Sequence, residues 1–277
     1  MNEVFLARRW QAWLLIAAGV ALASYLLHTP LQVQAASPAK GPGVITSTLY
    51  VPAVLQDVAC EPIPWITYAT LSVNSQPTDI PAEQHADLNL ALRGYVPTSA
   101  YLGLVDYGGP TDLGAPQLAG LFLDQRTPTF DVAYQVYDWN WSCNCRGQPI
   151  SEPPVTLIGM VTSPGEILYV PDSGYTIGIG DGYEVLVLYA SAERITLKYT
   201  REDNVVYGYT LHVESICVEP KLLALYQAWN AAGRQRLPAL KARQPFGRAR
   251  GSLIGVTIRD TGKFMDPRSR KDWWQGR

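Results

Sequence analysis

The feature that most constrains the fold of this 277-residue chain is a run of closely spaced strand segments between residues 155 and 213. Five segments within about sixty residues are rich in Val, Ile, Leu and Tyr, as strands are. They span residues 155–161, 166–170, 184–190, 194–200 and 205–213. The gaps between them hold Gly, Pro, Asp and Ser, which favour turns. This spacing predicts an antiparallel β-sandwich or barrel-like domain.

Only residues 220–232 have the pattern of a good helix after the N-terminal region. Pro220 suits the first helical position and Gly233 suits the position just past the end. Residues 130–139 alternate apolar and polar side chains, which indicates a half-buried strand. The predicted fold class is therefore mainly β, with this one helix and a hydrophobic N-terminal leader helix.

The first 35 residues have the features of an export leader. Arg8 and Arg9 precede residues 11–27, which are 17 uncharged and mostly apolar residues, and a small-residue cleavage site ends at Ala35. A cleaved signal peptide and an uncleaved membrane anchor both fit this length. Because the arginines stay inside, the remainder is predicted to be extracytoplasmic, either secreted or anchored by residues 11–27.

Composition divides the chain into four predicted parts. Residues 1–35 form the leader, residues 36–43 a linker and residues 44–154 a β- and loop-rich region. Residues 155–277 form the β domain, which includes the helix and ends in a basic tail.

The four cysteines, Cys60, Cys143, Cys145 and Cys217, predict two disulfides in an exported chain. Cys143 and Cys145 are two positions apart, so we expect a bond between them to be strained. Each is instead expected to pair with Cys60 or Cys217, in an order that the sequence leaves open. A zinc site is not expected, because the spacing is too short and no histidine lies nearby.

Charge is distributed unevenly along the chain. Residues 36–233 carry 8 basic and 20 acidic side chains, whereas residues 234–277 carry 12 basic and 3 acidic ones. The simpler interpretation is that the two parts attract each other within one fold. The alternative is that the basic end meets an anionic wall polymer or membrane headgroups. For that alternative, the binding candidates are Arg268, Arg270 and Lys271.

Tryptophans offer a second kind of binding surface. Trp139, Trp141, Trp273 and Trp274 would stack on sugars if they were exposed. The alternative is that most of them are buried in a disulfide-stabilised core.

Several weak motifs follow one another in order along residues 163–267. A glycine turn leads into a strand at residues 180–185, a strand at residues 210–216 carries His212, and residues 253–259 form a closing strand before an Asp-Pro pair. In this order they resemble the lysostaphin-type zinc endopeptidases, which cut peptide cross-links in bacterial cell walls. The resemblance implies an antiparallel β domain.

The metal ligands that this resemblance implies are missing. The family carries His-x-His in its closing strand, where this chain has Leu253 and Gly255. His212 matches a catalytic histidine that does not bind metal, and the only other histidine after the leader is His85. A catalytic zinc needs about three protein ligands. We therefore expect neither zinc nor another cofactor.

The expected function is binding or scaffolding at the cell envelope by a degenerate, inactive domain. Two alternatives stay open, namely an active wall hydrolase of the metallopeptidase type that depends on His212, and a carbohydrate-binding β module. The expected partners are a wall polymer or an envelope protein, and the membrane if residues 11–27 are retained. We expect no nucleic-acid partner.

Overall fold

The computed structural model describes residues 60–75, 78–178 and 180–276. The predicted leader, the linker and a predicted first strand at residues 44–54 lie outside the described residues. The fourteen strands are β1 Ala69–Ser72, β2 Tyr95–Thr98, β3 Phe130–Asn140, β4 Cys145–Pro149, β5 Leu157–Val161, β6 Ile167–Tyr169, β7 Tyr183–Ala190, β8 Arg194–Lys198, β9 Tyr209–Glu214, β10 Ile216–Val218, β11 Arg236–Lys241, β12 Pro245–Ala249, β13 Leu253–Asp260 and β14 Lys263–Met265. The α-helices are α1 Leu90–Arg93, α2 Pro220–Ala231 and α3 Arg270–Trp273, and 3₁₀ helices span Ala82–Gln84 and Leu118–Leu121.

One large antiparallel sheet organises the described residues. Its strand order is β1-β11-β7-β8-β9-β13-β5-β3-β2, with β14 added to β13 and β4 added to β3. A smaller sheet has the order β10-β12-β6. The mainly β, antiparallel prediction is confirmed, but the described strands form an open sheet and not a closed barrel.

The strand and helix predictions correspond closely to the structure. Each of the five closely spaced segments contains one strand, from β5 to β9. Helix α2 begins at Pro220, and the Glu219 carboxylate caps it by accepting the backbone N–H groups of Lys221 and Leu222 at 2.8 and 3.0 Å. The large sheet contains strands from both sides of the predicted boundary between residues 154 and 155.

The central strands β8, β9 and β13 have two different faces, because successive side chains of a strand point to opposite sides. One face is apolar and packs into the main core, with Ile195, Leu197, Leu211, Val213, Val256 and Ile258. The other face, called here the polar strand face, consists of Thr196, Lys198, Thr210, His212, Thr257 and Arg259. These six polar side chains are buried too, so a second layer of the protein must cover them.

Candidate functional site

His212 lies at the centre of the polar strand face. It is directly opposite Thr196 on β8 and Thr257 on β13. Its Nδ1 is 3.0 Å from the Thr196 hydroxyl, and its buried Nε2 has no hydrogen-bond partner among the described residues. Burial, together with the nearby positive charge of Arg259, lowers the pKa of His212 to about 3. The imidazole is therefore neutral at physiological pH and is closed off from solvent.

The layer over His212 is the covering segment, residues 82–93, which contains the first 3₁₀ helix and α1. The backbone carbonyl of Leu88 accepts a hydrogen bond from the Thr196 hydroxyl at 2.6 Å. Asn89 caps α1, since its side chain accepts the backbone N–H of Ala91. Ala86, Leu88 and Leu90 are fully buried. The covering segment thus fills the space where a ligand of the polar strand face would have to lie.

An ionic cluster fixes the covering segment to β13. Asp87 Oδ1 accepts hydrogen bonds from Arg259 Nη1 at 2.8 Å and from Arg93 Nη2 at 2.7 Å. Both guanidinium groups also lie over the ring of Phe264, at 4.5 Å for Arg259 and 5.4 Å for Arg93. Burial acts to raise the pKa of Asp87, but the two arginines outweigh it and the pKa is lowered. Asp87 is therefore ionised and neutralises buried positive charge.

The positions where the resemblance would need histidines, Leu253 and Gly255, lie on β13 beside β5 and β9. Gly255 is opposite both Glu214 and Gly159, and a Cβ placed on it would lie 3.3 Å from the Glu214 Cβ. Leu253 packs against the Gly159 position. In the part of the chain that the structure describes, no three His, Cys, Asp or Glu side chains are grouped closely enough to hold a metal.

Lys198 is a second buried ionisable group of the polar strand face. Among the described residues its ammonium makes a single long hydrogen bond, 3.5 Å to the Thr210 hydroxyl. Burial lowers the pKa of Lys198 to about 8, although the charge of Glu202 acts in the opposite direction. Like His212, it is inaccessible to a large substrate.

Trp139 and Trp141 lie together at the turn of the β3–β4 hairpin. We call residues 139–145 the hairpin tip. The Trp141 ring is 6.4 Å from the Trp139 ring and 5.3 Å from the His85 ring, with interplanar angles of 68° and 66°. Trp141 is 47% exposed. The hairpin tip therefore presents an aromatic cluster to solvent.

The turn at the hairpin tip is held by short-range bonds. Trp139 Nε1 donates to the Asn144 side-chain oxygen at 3.2 Å, and the Asn140 side-chain oxygen accepts the backbone N–H of Ser142 at 2.9 Å. Burial lowers the pKa of His85, so its ring is an uncharged aromatic surface at neutral pH. The rings of the cluster are therefore held in place, and the Trp141 ring is open to solvent.

The cysteine pairing corrects the sequence-based expectation. Cys143 bonds to Cys145, and Cys60 bonds to Cys217. We expected the close pair to be unable to bond without strain. The backbone at Asn144 has a positive φ of 50°, which turns the chain and brings the two flanking Cα atoms to 5.3 Å. The disulfide thus closes the hairpin tip on itself.

The C-terminal candidates are mostly part of the core. Trp273 and Trp274 are buried, and their indole nitrogens donate to the carbonyls of Asp266 and Pro267, each at 2.9 Å. Arg268 is buried in an ion pair with Asp266 at 2.7 Å. These three candidates therefore offer no open surface for stacking or for anions.

The other two candidates at this end are more exposed. Arg270 pairs with Asp106 at 3.0 Å and is 56% exposed, and Lys271 pairs with Asp272 at 2.6 Å. Both of them already have a carboxylate partner, which weakens the case for a free anionic ligand there.

Acidic residues of the earlier part of the chain pair with several basic residues of its end. Arg234 binds Asp203 at 2.6 Å, Arg259 binds Asp87, and Arg250 binds Glu193. Part of the uneven charge along the sequence is thus balanced by ion pairs within the fold.

Two aromatic residues with surface roles were not among the candidates. His85 joins the tryptophans of the hairpin tip although it is 56 positions before Trp141, and no local motif signals that contact. Trp65 is 98% exposed. Its position directly after Pro62 and Pro64, in a segment without apolar periodicity, was the available signal.

Comparison with models of protein families, with curated proteins and with solved structures finds no match to this chain. No helix within residues 60–75, 78–178 and 180–276 is long and apolar enough to cross a membrane.

Proposed function

We propose that this protein is a non-catalytic binding protein of the cell envelope that recognises glycan through its hairpin tip. The observation that carries the proposal is the exposed Trp141 ring, flanked by Trp139 and His85 on a turn closed by a disulfide. Fixed, half-exposed aromatic rings bind the apolar faces of sugar rings at little entropic cost. Hydroxyl groups of the same sugars remain in water.

Polar groups on the two strands that carry the hairpin tip suit a glycan. Asp138 has a side chain that is 70% exposed, and it lies 3.6 Å from the Arg93 guanidinium. The Arg146 guanidinium packs at 6.0 Å from the Tyr137 ring. Carboxylates and guanidinium groups beside aromatic rings supply hydrogen bonds that orient a sugar.

The burial of His212 supports binding over hydrolysis. The one histidine that resembles a catalytic residue, His212, is covered by residues 82–93 and has a pKa of about 3. A general base must be within hydrogen-bond reach of its substrate and have a pKa near the working pH. Neither condition is met at His212, which is why we propose binding and not hydrolysis.

Two disulfides support an oxidising compartment, since such bonds persist mainly outside the cytosol. With the predicted leader, they favour an extracytoplasmic protein that meets the wall or another envelope component. The leader either remains as an anchor in the membrane or is removed.

Depletion binding of the full chain to purified insoluble peptidoglycan tests the proposal. We expect saturable binding that the Trp141→Ala substitution weakens roughly tenfold, the equivalent of about 1.4 kcal/mol. Tyr207→Ala is the matched control, because Tyr207 is also exposed, at 61%, and lies outside the hairpin tip. Equal losses in both variants, or no binding by the unmodified protein, would contradict the proposal.

Release of soluble wall fragments in the same samples tests the alternative of an active hydrolase. We expect none above the protein-free blank, with or without added zinc. Fragment release that a chelator abolishes would replace binding with catalysis as the function.

A further inference from the structure

A second open site lies where β11 ends, apart from the hairpin tip and from the polar strand face. It is a cleft of about 480 Å³, lined by residues 67–69, by Tyr183 and by the turn at residues 241–244. Strands β1 and β7 both pair with β11, and the register with β7 shifts between Leu240 and Lys241. The cleft opens at this irregular strand end, and its size lies within the range of small-molecule sites.

The charged groups that line the cleft are both positive. Lys241 forms no ion pair among the described residues, and its ammonium lies 5.2 Å from the centre of the Tyr183 ring. Arg243 donates from Nη2 to the Leu123 carbonyl at 2.9 Å, and its Nη1 is buried and has no hydrogen-bond partner in the described chain. The nearest carboxylate, that of Asp172, comes only to 4.0 Å from Arg243 Nε.

This arrangement contrasts with that of two arginines elsewhere in the C-terminal part. Arg234 and Arg259 make close ion pairs with Asp203 and Asp87, at 2.6 and 2.8 Å. Lys241 is exposed and has no such carboxylate partner among the described residues, so its positive charge remains available to an anion from solution.

The turn that carries Arg243 is held in place before any ligand binds. The Gln244 side chain accepts the backbone N–H of Lys241 and donates to the Thr67 carbonyl, each at 2.9 Å. Arg243 has a φ of 60°, a conformation that costs a non-glycine residue about 1 kcal/mol. Because glycine adopts this φ without that cost, an arginine at this position indicates a function for its side chain.

We propose that this cleft binds a phosphate group carried by a small polar ligand or by a polymer. A guanidinium supplies directed N–H donors to phosphate oxygens, and an ammonium supplies a point charge beside them. The Tyr183 ring and the backbone of residues 67–69 would contact the uncharged part of the ligand. The proposal is independent of the glycan site, since it involves none of the hairpin-tip residues.

Calorimetric titration of the full chain with glycerol phosphate, at constant ionic strength, tests this site. We expect saturable binding that is at least roughly tenfold weaker in Lys241→Gln and in Arg243→Gln. Lys241→Gln is the more informative variant, because this exposed side chain makes no described hydrogen bond whose loss would disturb the fold. Arg270→Gln is the control, since Arg270 is a similarly exposed cation outside the cleft.

Three results would overturn the proposal. The first is no saturable binding of glycerol phosphate, and the second is an equal loss of affinity in Arg270→Gln. The third is equal affinity for glucuronate, which would mean that the cleft selects negative charge and not phosphate. A polymeric source is distinguished from a free phosphate ester by competition, because a phosphate-bearing polymer should displace glycerol phosphate at a lower concentration of phosphate groups.

Discussion

The polar strand face and the hairpin tip both gather residue types that bind ligands in many proteins, but they differ in access. At the polar strand face, His212 and Lys198 are fully buried, and residues 82–93 contact Thr196 beside His212. At the hairpin tip, Trp141 is half-exposed, and its ring neighbours among the described residues are Trp139 and His85. Residue types that can bind or react are therefore not enough to identify a functional site. Whether another segment covers them decides whether a ligand can reach them.

The difference has an electrostatic cause. Arg259 and Arg93 would be costly to bury alone, and Asp87 of the covering segment neutralises both. Removing the segment would expose these charges and the apolar side chains of Leu88 and Leu90 to water. At the tip, Trp141 meets the covering segment through the His85 ring but stays half-exposed. Changes in the first region should therefore alter stability, and changes in the second should alter binding.

Acidification should have the largest effect, because it destabilises the fold through His212 of the polar strand face. The pKa of His212 is about 3 in the folded protein and 6.5 in the unfolded chain. The stability that comes from this lowered pKa is fully present above pH 6.5 and is lost as the pH falls towards 3. A shift of this size is worth on the order of 5 kcal/mol. Denaturant unfolding at stepwise lower pH should show a shallower loss for His212→Gln than for the unmodified protein, and equal slopes would contradict the burial of the imidazole.

Breaking the ionic cluster should have the next largest effect. Asp87→Asn leaves two buried guanidinium groups without their shared counter-charge, which we expect to cost about 3–5 kcal/mol of unfolding free energy. Asp138→Asn is a matched control, since Asp138 also approaches Arg93 but its side chain is 70% exposed. That control should change stability by less than about 1 kcal/mol. Equal effects would show that the covering segment does not depend on Asp87.

Replacing Lys198 should stabilise the protein. Burial lowers the pKa of Lys198 from 10.5 to about 8. Above pH 10.5 the lysine is neutral in both the folded and the unfolded chain. As the pH falls from 10.5 through 8 the unfolded chain takes up the proton first, and the folded protein loses stability. At neutral pH the lysine is charged and buried at a cost on the order of 3 kcal/mol. Lys198→Met should recover part of that cost at neutral pH and little above pH 10.5. A Lys198→Met variant that is less stable than the unmodified protein at neutral pH would show that the ammonium is well paired.

The smallest stability change is expected at the hairpin tip. Trp141→Ala removes contacts with two rings and should cost about 1 kcal/mol or less. Trp273→Ala is the matched control in the core and should cost about 3–5 kcal/mol. Thermal or denaturant unfolding of both variants measures the difference. A loss at Trp141 as large as that at Trp273 would mean that the tip is structural.

Strand and helix positions could be predicted from sequence because they depend on local patterns. Thr196 and Lys198 share one face of β8 because side chains of a strand alternate, but alternation alone does not say whether a polar face meets water or protein. That face is covered through contacts such as Asp87 to Arg259, which are 172 positions apart. The Cys143–Cys145 bond escaped prediction for a different reason, since it depends on the positive φ of the single residue between them.

Hydrogen–deuterium exchange of the full chain, with and without soluble peptidoglycan fragments, tests the contrast between the two regions most directly. We expect the fragments to slow exchange at residues 137–146, which contain the hairpin tip. Exchange at residues 86–93 and 209–214, which exclude His85 of the aromatic cluster, should be slow in both states and unchanged by the fragments. Ligand-induced changes at residues 86–93 or 209–214, with none at residues 137–146, would contradict the account and place the functional site beneath the covering segment.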